Sequence, residues 1–372
     1  MHEAQTTADA APEGAAIADD ARGRRRAPRR GRRTLLFDLA ALGVVGALLV
    51  GAVGAGAVVV YRELYSPSAF VERYLSLLSE GRATDALRVP GVELTTAQLK
   101  TAGMAPTASE ALLRGSTLSE LTDVEVIGER VRGDVTDVSV AYRSGGHSGR
   151  TAFSVEQVGW IGIAPAWRFA RSPLAAIDLT VRGATRFTVN GFEIDTRQIA
   201  PAGVDADPLE PVSMLVFSPG AYSISVDTPI SKTPGVAVLS DAPQKSIPID
   251  LQTQPTEEFV DVVQQQVDEF LASCATQRVL QPTGCPFGYF VRNRVQGEPT
   301  WSMTEMPDVT VVPEGAQWAI PRVRAVAHID VDVRSLFDGR LYEVSEDVEF
   351  FLTGGITILP DGTASIQVSA AD

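Results

Sequence analysis

The chain has 372 residues, enough for two or three domains with cores of their own. Its formal net charge is −14, although eight arginines stand against five acidic residues in positions 1–33, which leaves a net charge of −17 on the rest. So acidic a surface excludes binding to nucleic acid or anionic phospholipid through overall charge, whereas cationic, neutral and sugar-like partners are compatible with it.

An arginine-rich segment followed by an apolar run dominates the N-terminal part. Residues 1–33 lack hydrophobic periodicity, which predicts a disordered tail, and no residue from Leu39 to Val60 carries a charge. A helix that rises about 1.5 Å per residue would cross the roughly 30 Å core of a bilayer over this run. Because arginine clusters remain on the cytoplasmic side, we predict a cytoplasmic tail at 1–33, one transmembrane helix at 34–61 and an extracytoplasmic remainder.

Three features of this region have alternative interpretations. The run is longer than the roughly 7 to 15 residues of a signal-peptide core, which favours an uncleaved anchor over a signal peptide cut after Ala57. The arginines act as a topology signal alone, or they also bind anionic lipid of the inner leaflet. Small residues four apart predict a homodimer through one helix face, unless they only reflect a Gly- and Ala-rich composition. These residues are Gly43, Ala47, Gly51 and Ala55.

Residues 62–172 begin with helix signals and continue with strand signals. Ser66 and Pro67 are typical of a helix N-cap and the first helical position, and Gly81 follows the apolar periodic run as a stop signal. From Leu118 onward apolar and polar residues alternate, which indicates antiparallel strands. Helices followed by a meander predict an α+β domain.

Residues 173–253 carry strand signals and no convincing helix signal. Asn190 and Gly191 suit the positive φ of a type I′ hairpin turn, and a second turn is predicted at Ser218-Pro219-Gly220. We therefore predict a small β-sandwich here.

Residues 254–372 repeat the order of the first folded segment. A long amphipathic helix is predicted after Pro255, with Glu257 and Glu258 in its first turn, where they suit the helix dipole. Long strands follow, joined by turns at Asp338-Gly339 and Asp361-Gly362. The predicted fold class is thus α+β: a single N-terminal transmembrane helix, then two domains of helix plus antiparallel sheet that flank the sandwich.

The order of these segments is similar to that of a known family. The helix-then-meander units resemble NTF2-like (cystatin-like) extracytoplasmic domains, and the segment with Phe187-Thr188-Val189-Asn190-Gly191 is similar to PEGA-type β-modules. Together they resemble the teicoplanin-resistance-associated membrane proteins, which implies an anchored protein of the cell envelope. That family often begins with a cytoplasmic zinc ribbon, whereas this tail contains no cysteine.

The two cysteines of the chain, Cys274 and Cys285, both fall in the predicted extracytoplasmic part. Thiols are readily oxidised there, so we predict a disulfide, worth roughly 3 kcal/mol on the chain-entropy estimate. Two cysteines without nearby histidines do not form a tetrahedral zinc site, and the spacing differs from that of a C-x-x-C redox motif.

A candidate ligand face follows from the alternation along the strand predicted at 323–333, which puts polar side chains on one face and apolar ones on the other. Two interpretations stay open: three of the polar residues offer nitrogen and oxygen ligands to a metal, or the face is solvated and its charges pair across strands. No cofactor is implied. The polar residues are Arg324, His328, Asp330, Asp332 and Arg334, of which His328, Asp330 and Asp332 are the metal candidates.

Two further patterns give little support for catalysis. The run Gly146-His147-Ser148-Gly149 resembles part of a nucleophile elbow, but Arg150 follows it, and it joins two predicted strands instead of a strand and a helix. A cluster of acids resembles the carboxylates of glycosidases, yet no partner can be placed opposite it: Glu343, Glu346, Asp347 and Glu349.

These observations predict a single-pass, membrane-anchored protein of the cell envelope whose extracytoplasmic part is a binding or structural module and not an enzyme. The expected partners are the lipid bilayer and an envelope component or another membrane protein, with nucleic acid excluded. An envelope hydrolase and a transmembrane sensor are the alternatives.

Overall fold

The computed structural model describes residues 37, 39–48, 61, 63–162, 164–359 and 363–371. The chain forms two compact units, Met1–Arg62 and Glu63–Asp372. The described residues of the first unit are helical, and no helix in the described part of the chain is long and apolar enough to cross a membrane. The predicted tail and the other positions of the predicted transmembrane helix lie outside the described residues.

The predicted α+β fold class is wrong, because strands account for 45% of the structure and helices for 21%. Caps and a 3.6-residue period make a helix easy to recognise in a sequence. The two long helices therefore led to an overestimate of the helical share of the fold. The cores are built mainly by strands, which reach 18 residues in length. In the second unit residues 63–65 are helical, and the α-helices that follow them are α1 (Pro67–Ser79), α2 (Ala83–Leu87), α3 (Thr96–Thr101), α4 (Thr196–Ile199) and α5 (Glu257–Ala275).

The N-terminal part of the second unit packs α1 on an antiparallel meander. The Ser66 side chain caps this helix by accepting a hydrogen bond from Ala69 N at 3.1 Å. Tyr74 of the helix lies edge-on to Phe153 and Phe169 of the sheet, with ring centroids 6.2 and 5.1 Å away. The strands are β1 (Leu121–Arg132), β2 (Val135–Ser144), β3 (His147–Ile161) and β4 (Ala164–Phe169).

The middle part contains two sheets around a shared core that includes Ile177, Phe187 and Tyr222. Its strands are β5 (Leu174–Arg182), β6 (Arg186–Val189), β7 (Phe192–Asp195), β8 (Val212–Phe217), β9 (Gly220–Ser225), β10 (Ser231–Lys232), β11 (Val236–Ser240), β12 (Ser246–Gln252) and β13 (Gln254–Pro255). One sheet has the order β11-β9-β6-β7, and the other has the order β12-β5-β8, in which β12 runs parallel to β5. A short third sheet pairs β10 with β13. The predicted hairpin is confirmed: Asn190, with φ of 49°, and Gly191 join β6 to β7.

Tyr222 fixes the bend between β8 and β9, which gives a first testable prediction. Its buried hydroxyl accepts from Phe217 N at 2.9 Å and donates to Phe217 O at 3.1 Å. Tyr222→Phe leaves both backbone groups without this partner, so we expect the free energy of unfolding to fall by about 1–3 kcal/mol. Urea denaturation of the purified chain measures this loss.

The ionisation of Tyr222 adds a pH signature to the same variant. Burial raises the pKa of this phenol well above its usual value of 10.0. The neutral hydroxyl therefore contributes its full stability below about pH 10, and that stability is lost as the pH rises further. Tyr222→Phe is expected to reduce the alkaline loss of stability. An equal slope above pH 10 in both proteins would contradict the assignment.

The C-terminal part packs α5 on one face of a six-stranded sheet. The Thr256 side chain caps α5 by accepting from Phe259 N at 3.2 Å, and the helix buries Phe259, Val263 and Leu271. The opposite face of the sheet is left to solvent. The strands are β14 (Arg294–Val295), β15 (Thr300–Glu305), β16 (Val312–Glu314), β17 (Gln317–Arg334), β18 (Leu341–Ile358) and β19 (Ala364–Ala370).

Candidate functional site

The candidate ligand face is the outer face of β17, which is flanked by β15 and β18. Strand alternation sends Ala325, Ala327 and Ile329 inward, where they are fully buried with the core beneath α5. The candidate residues are exposed or half-buried. The site is therefore an open sheet surface.

His328 is the centre of this face and contacts three side chains. Its Nδ1 lies 2.7 Å from Asp347 Oδ1, and its Nε2 lies 3.0 Å from Ser345 Oγ and 3.3 Å from Asp330 Oδ1. Both ring nitrogens donate when the imidazole is protonated, which matches two carboxylates and a hydroxyl. The geometry thus favours an imidazolium held by its neighbours.

Arg324 forms a second cluster on the same face. Its Nε donates to Glu349 and its NH1 to Glu305, so carboxylates from β18 and β15 lie on either side of the guanidinium. All three side chains are about half exposed to solvent. Such pairs contribute little to stability at a surface, but they fix the orientation of the charges.

The other two candidate residues stand apart from these clusters. Asp332 faces Glu343 across the strands, and Arg334 NH1 donates to Gly339 O at 3.4 Å. Within the described ranges, no group of three or more His, Cys, Asp or Glu side chains is arranged to hold a metal ion. The contacts of His328 and Arg324 fit the interpretation that charges pair across strands, whereas Asp332 faces another acid.

The structure places hydrogen-bond partners opposite three of the four acids for which none was found from the sequence, whereas Glu343 faces Asp332. Asp347 contacts His328, Glu349 contacts Arg324, and Glu346 accepts from the Tyr289 hydroxyl at 2.8 Å. The predicted turn at Asp338-Gly339 contained the information needed to find these partners, because it sets the register of β17 against β18. Once Arg334 pairs with Leu341 across that turn, antiparallel counting places His328 opposite Asp347.

The electrostatics of the face are visible in the pKa of His328. Its hydrogen bond with Asp347 is the largest cause of a pKa raised above the usual 6.5, and the charge of Asp330 adds to it. With a raised folded-state pKa, the interaction is fully present below about pH 6.5 and is lost as the pH rises through the folded value.

An NMR titration of the His328 ring tests this arrangement. We expect a midpoint above 6.5, because Asp347 stabilises the imidazolium. Asp347→Asn should lower the midpoint more than Asp330→Asn does. Asp332→Asn is the matched control, since this acid lies on the same face without contacting the ring, and it should leave the midpoint nearly unchanged. Equal effects of all three variants would contradict the assigned contacts.

The predicted disulfide is confirmed: Cys274 at the end of α5 is bonded to Cys285, with Cα atoms 5.9 Å apart. The small-residue stripe is described only at Gly43 and Ala47, which lie on an exposed helical stretch. Gly51 and Ala55 lie outside the described residues, so the predicted helix–helix contact stays a prediction.

The nucleophile-elbow pattern forms the turn of a hairpin. Gly145 and Gly146 connect β2 to β3, and His147 Nδ1 lies 3.1 Å from Gly145 O. Two strands meet here, as the sequence indicates, so the strained strand-to-helix turn of a hydrolase is replaced by an ordinary β-turn.

Cavities of 380, 330, 280 and 270 Å³ open on the second unit. Arg171 borders two of them, and its Nε donates to Gln244 Oε1 at 3.3 Å. No histidine or cysteine lines any of these four cavities. Sequence reasoning did not find Arg171, because the loop that carries it shows no motif.

Comparisons with known proteins add no relative: no family model matches the chain, and no curated protein or solved structure is significantly similar to it. The resemblance to teicoplanin-resistance-associated proteins therefore stays an expectation from the sequence.

Proposed function

We propose that the chain is a membrane-anchored protein of the cell envelope whose second unit, Glu63–Asp372, binds an envelope component or another membrane protein without catalysing a reaction. Membrane attachment and topology rest on the sequence alone, on the arginine cluster before Leu35 and the charge-free run from Leu39 to Val60. The disulfide between Cys274 and Cys285 supports an oxidising location of the second unit.

The candidate ligand face is the observation that supports binding without catalysis. Its two clusters are exposed or half-buried, and their charged groups are already paired, His328 with Asp347 and Arg324 with Glu349. A catalytic site needs a nucleophile or an acid–base pair held in a cleft where a substrate excludes water. An open, ordered array of donors and acceptors is better suited to recognising a polar surface.

The proposal is tested by photo-crosslinking in intact cells. A photoreactive amino acid at position 345 lies on the ligand face, and one at position 265 lies on the solvent side of α5, which gives a matched control. We expect a reproducible envelope partner from position 345 only. Identical products from both positions would contradict a role for this face, and turnover of an envelope polymer that is lost in His328→Ala would favour the hydrolase.

A further inference from the structure

The loop between β17 and β18 carries an exposed apolar surface at the end of a long hairpin. We define the apolar tip as Leu336 and Phe337 of this loop together with Leu341, which begins β18. Their exposed fractions are 71%, 99% and 62%. Single exposed apolar residues are common, but several large ones gathered at the end of one projection mark an interaction site.

Hydrogen bonds hold the backbone of this tip in place. Asn293 Oδ1 accepts from Leu336 N at 3.2 Å, and Asn293 Nδ2 donates to the Tyr342 hydroxyl at 2.7 Å. Ser335 Oγ accepts from Phe337 N at 3.2 Å, and Ser335 N donates to Arg340 O at 2.9 Å. The loop therefore presents its apolar side chains outward from a fixed frame.

Four arginines surround the apolar tip in a chain whose net charge is −14. Arg294 and Arg334 are direct cross-strand partners, an arrangement in which like charges repel. In the described part of the chain, Arg292, Arg294 and Arg334 have no acidic side chain within 4.0 Å. We call Arg292, Arg294, Arg334 and Arg340 the arginine group.

Acidic residues are distributed unevenly around this group. Asp338 lies 3.8 Å from Arg340 in the loop, and the next acids on the same face, Asp332 and Glu343, lie two residue pairs back along the strands, about 7 Å away. From the loop towards the strands, Leu336 and Phe337 are followed by Arg334 and Arg340 and then by Asp332 and Glu343, while Asp338 lies within the loop. Charges beyond about 10 Å are screened. Within that distance the four arginines stand against Asp332, Asp338 and Glu343, which leaves a local net charge of +1 in a chain whose net charge is −14.

We propose that the apolar tip and the arginine group dock on the surface of an anionic lipid bilayer. Leu336 and Phe337 enter the interfacial region, and the arginines meet lipid phosphates, to which guanidinium groups donate bidentate hydrogen bonds. A soluble polyanion would engage the arginines and leave the apolar side chains in water. A bilayer is the occupant that satisfies both features at once, and local charge makes this region an exception to the exclusion of anionic lipid by overall charge.

A fluorescent probe at the tip tests the proposal on the full-length chain carried in neutral-lipid nanodiscs. Because Cys274 and Cys285 are bonded, Phe337→Cys introduces the reactive thiol for an environment-sensitive label. Vesicles of phosphatidylcholine with a minority of phosphatidylglycerol are then added. We expect a blue shift and quenching by nitroxide lipids, neither of which should occur with phosphatidylcholine alone.

Two further variants complete the test. Val204→Cys, at an exposed site far from the arginine group in the sequence, carries the same label and should show no shift. With the label at position 337, Arg294→Gln combined with Arg334→Gln should weaken vesicle binding at least tenfold. Equal shifts with neutral and anionic vesicles, no shift with either, or an equal shift with soluble heparin would each overturn the proposal.

Discussion

Replacing Trp318 with alanine is expected to lower the free energy of unfolding by about 3–5 kcal/mol. Trp318 is 1% exposed and lies edge-on to Phe259 of α5 at 6.0 Å between ring centroids. A Cβ placed on Gly183 would come within 2.8 Å of Trp318 Cζ2, so the indole also packs against the end of β5. Its removal leaves a large cavity where the C-terminal sheet meets the middle part.

Two control variants separate this packing effect from other causes. Trp160→Ala makes the same change at a 64% exposed position and should alter stability by about 0.5 kcal/mol or less. Trp318→Phe keeps an aromatic ring and removes an Nε1–H that has no hydrogen-bond partner among the described residues. The free energy of unfolding should therefore fall clearly less in Trp318→Phe than in Trp318→Ala. Chemical denaturation that found Trp318→Ala and Trp160→Ala equally stable would contradict the proposed packing.

Removing the disulfide by Cys274→Ala and Cys285→Ala is expected to cost about 3 kcal/mol of stability. The two residues are 11 apart in sequence, and the loop between them is also fastened by Gln277, whose Oε1 accepts from Thr283 N at 2.8 Å. The native loop should therefore persist without the disulfide. Most of the loss arises because the unfolded chain is released from its constraint.

Thermal unfolding with and without reductant measures this contribution. The oxidised chain should unfold at a higher temperature than the double variant, and reduction should bring it down to the variant's value. The double variant should not respond to reductant. A double variant as stable as the oxidised chain would rule out a stabilising role for this bond.

Local turn chemistry was predictable from the sequence, but the tertiary contacts of the same residues were not. The turn at Asn190 follows from its tolerance of positive φ. The Asn190 amide also donates to Thr117 O at 2.7 Å and to Ala221 O at 2.9 Å, contacts between distant segments. Likewise, β12 pairs in parallel with β5 across a long connection, for which no local signal exists.

The residues of the candidate ligand face could be predicted from the sequence, but their partners were not. The period of two along β17 identified which residues share a face, including His328 and Arg324. Their partners Asp347 and Glu349 required the register of β17 against β18, which the predicted Asp338-Gly339 turn would have supplied. The α+β assignment failed because α1 and α5 each give a strong local signal in the sequence. The length of the strands, and so their share of the fold, depends on pairing between distant segments, which gives no such local signal.

Thiol labelling of intact cells tests most directly that the second unit lies outside the membrane and the tail inside. The bonded cysteines do not react with a maleimide, so Val204→Cys reports on the second unit and Gln5→Cys on the tail. A membrane-impermeant maleimide should label position 204 in intact cells and position 5 only after permeabilisation. Protection of position 204 in intact cells, or labelling of position 5 there, would contradict the proposed topology.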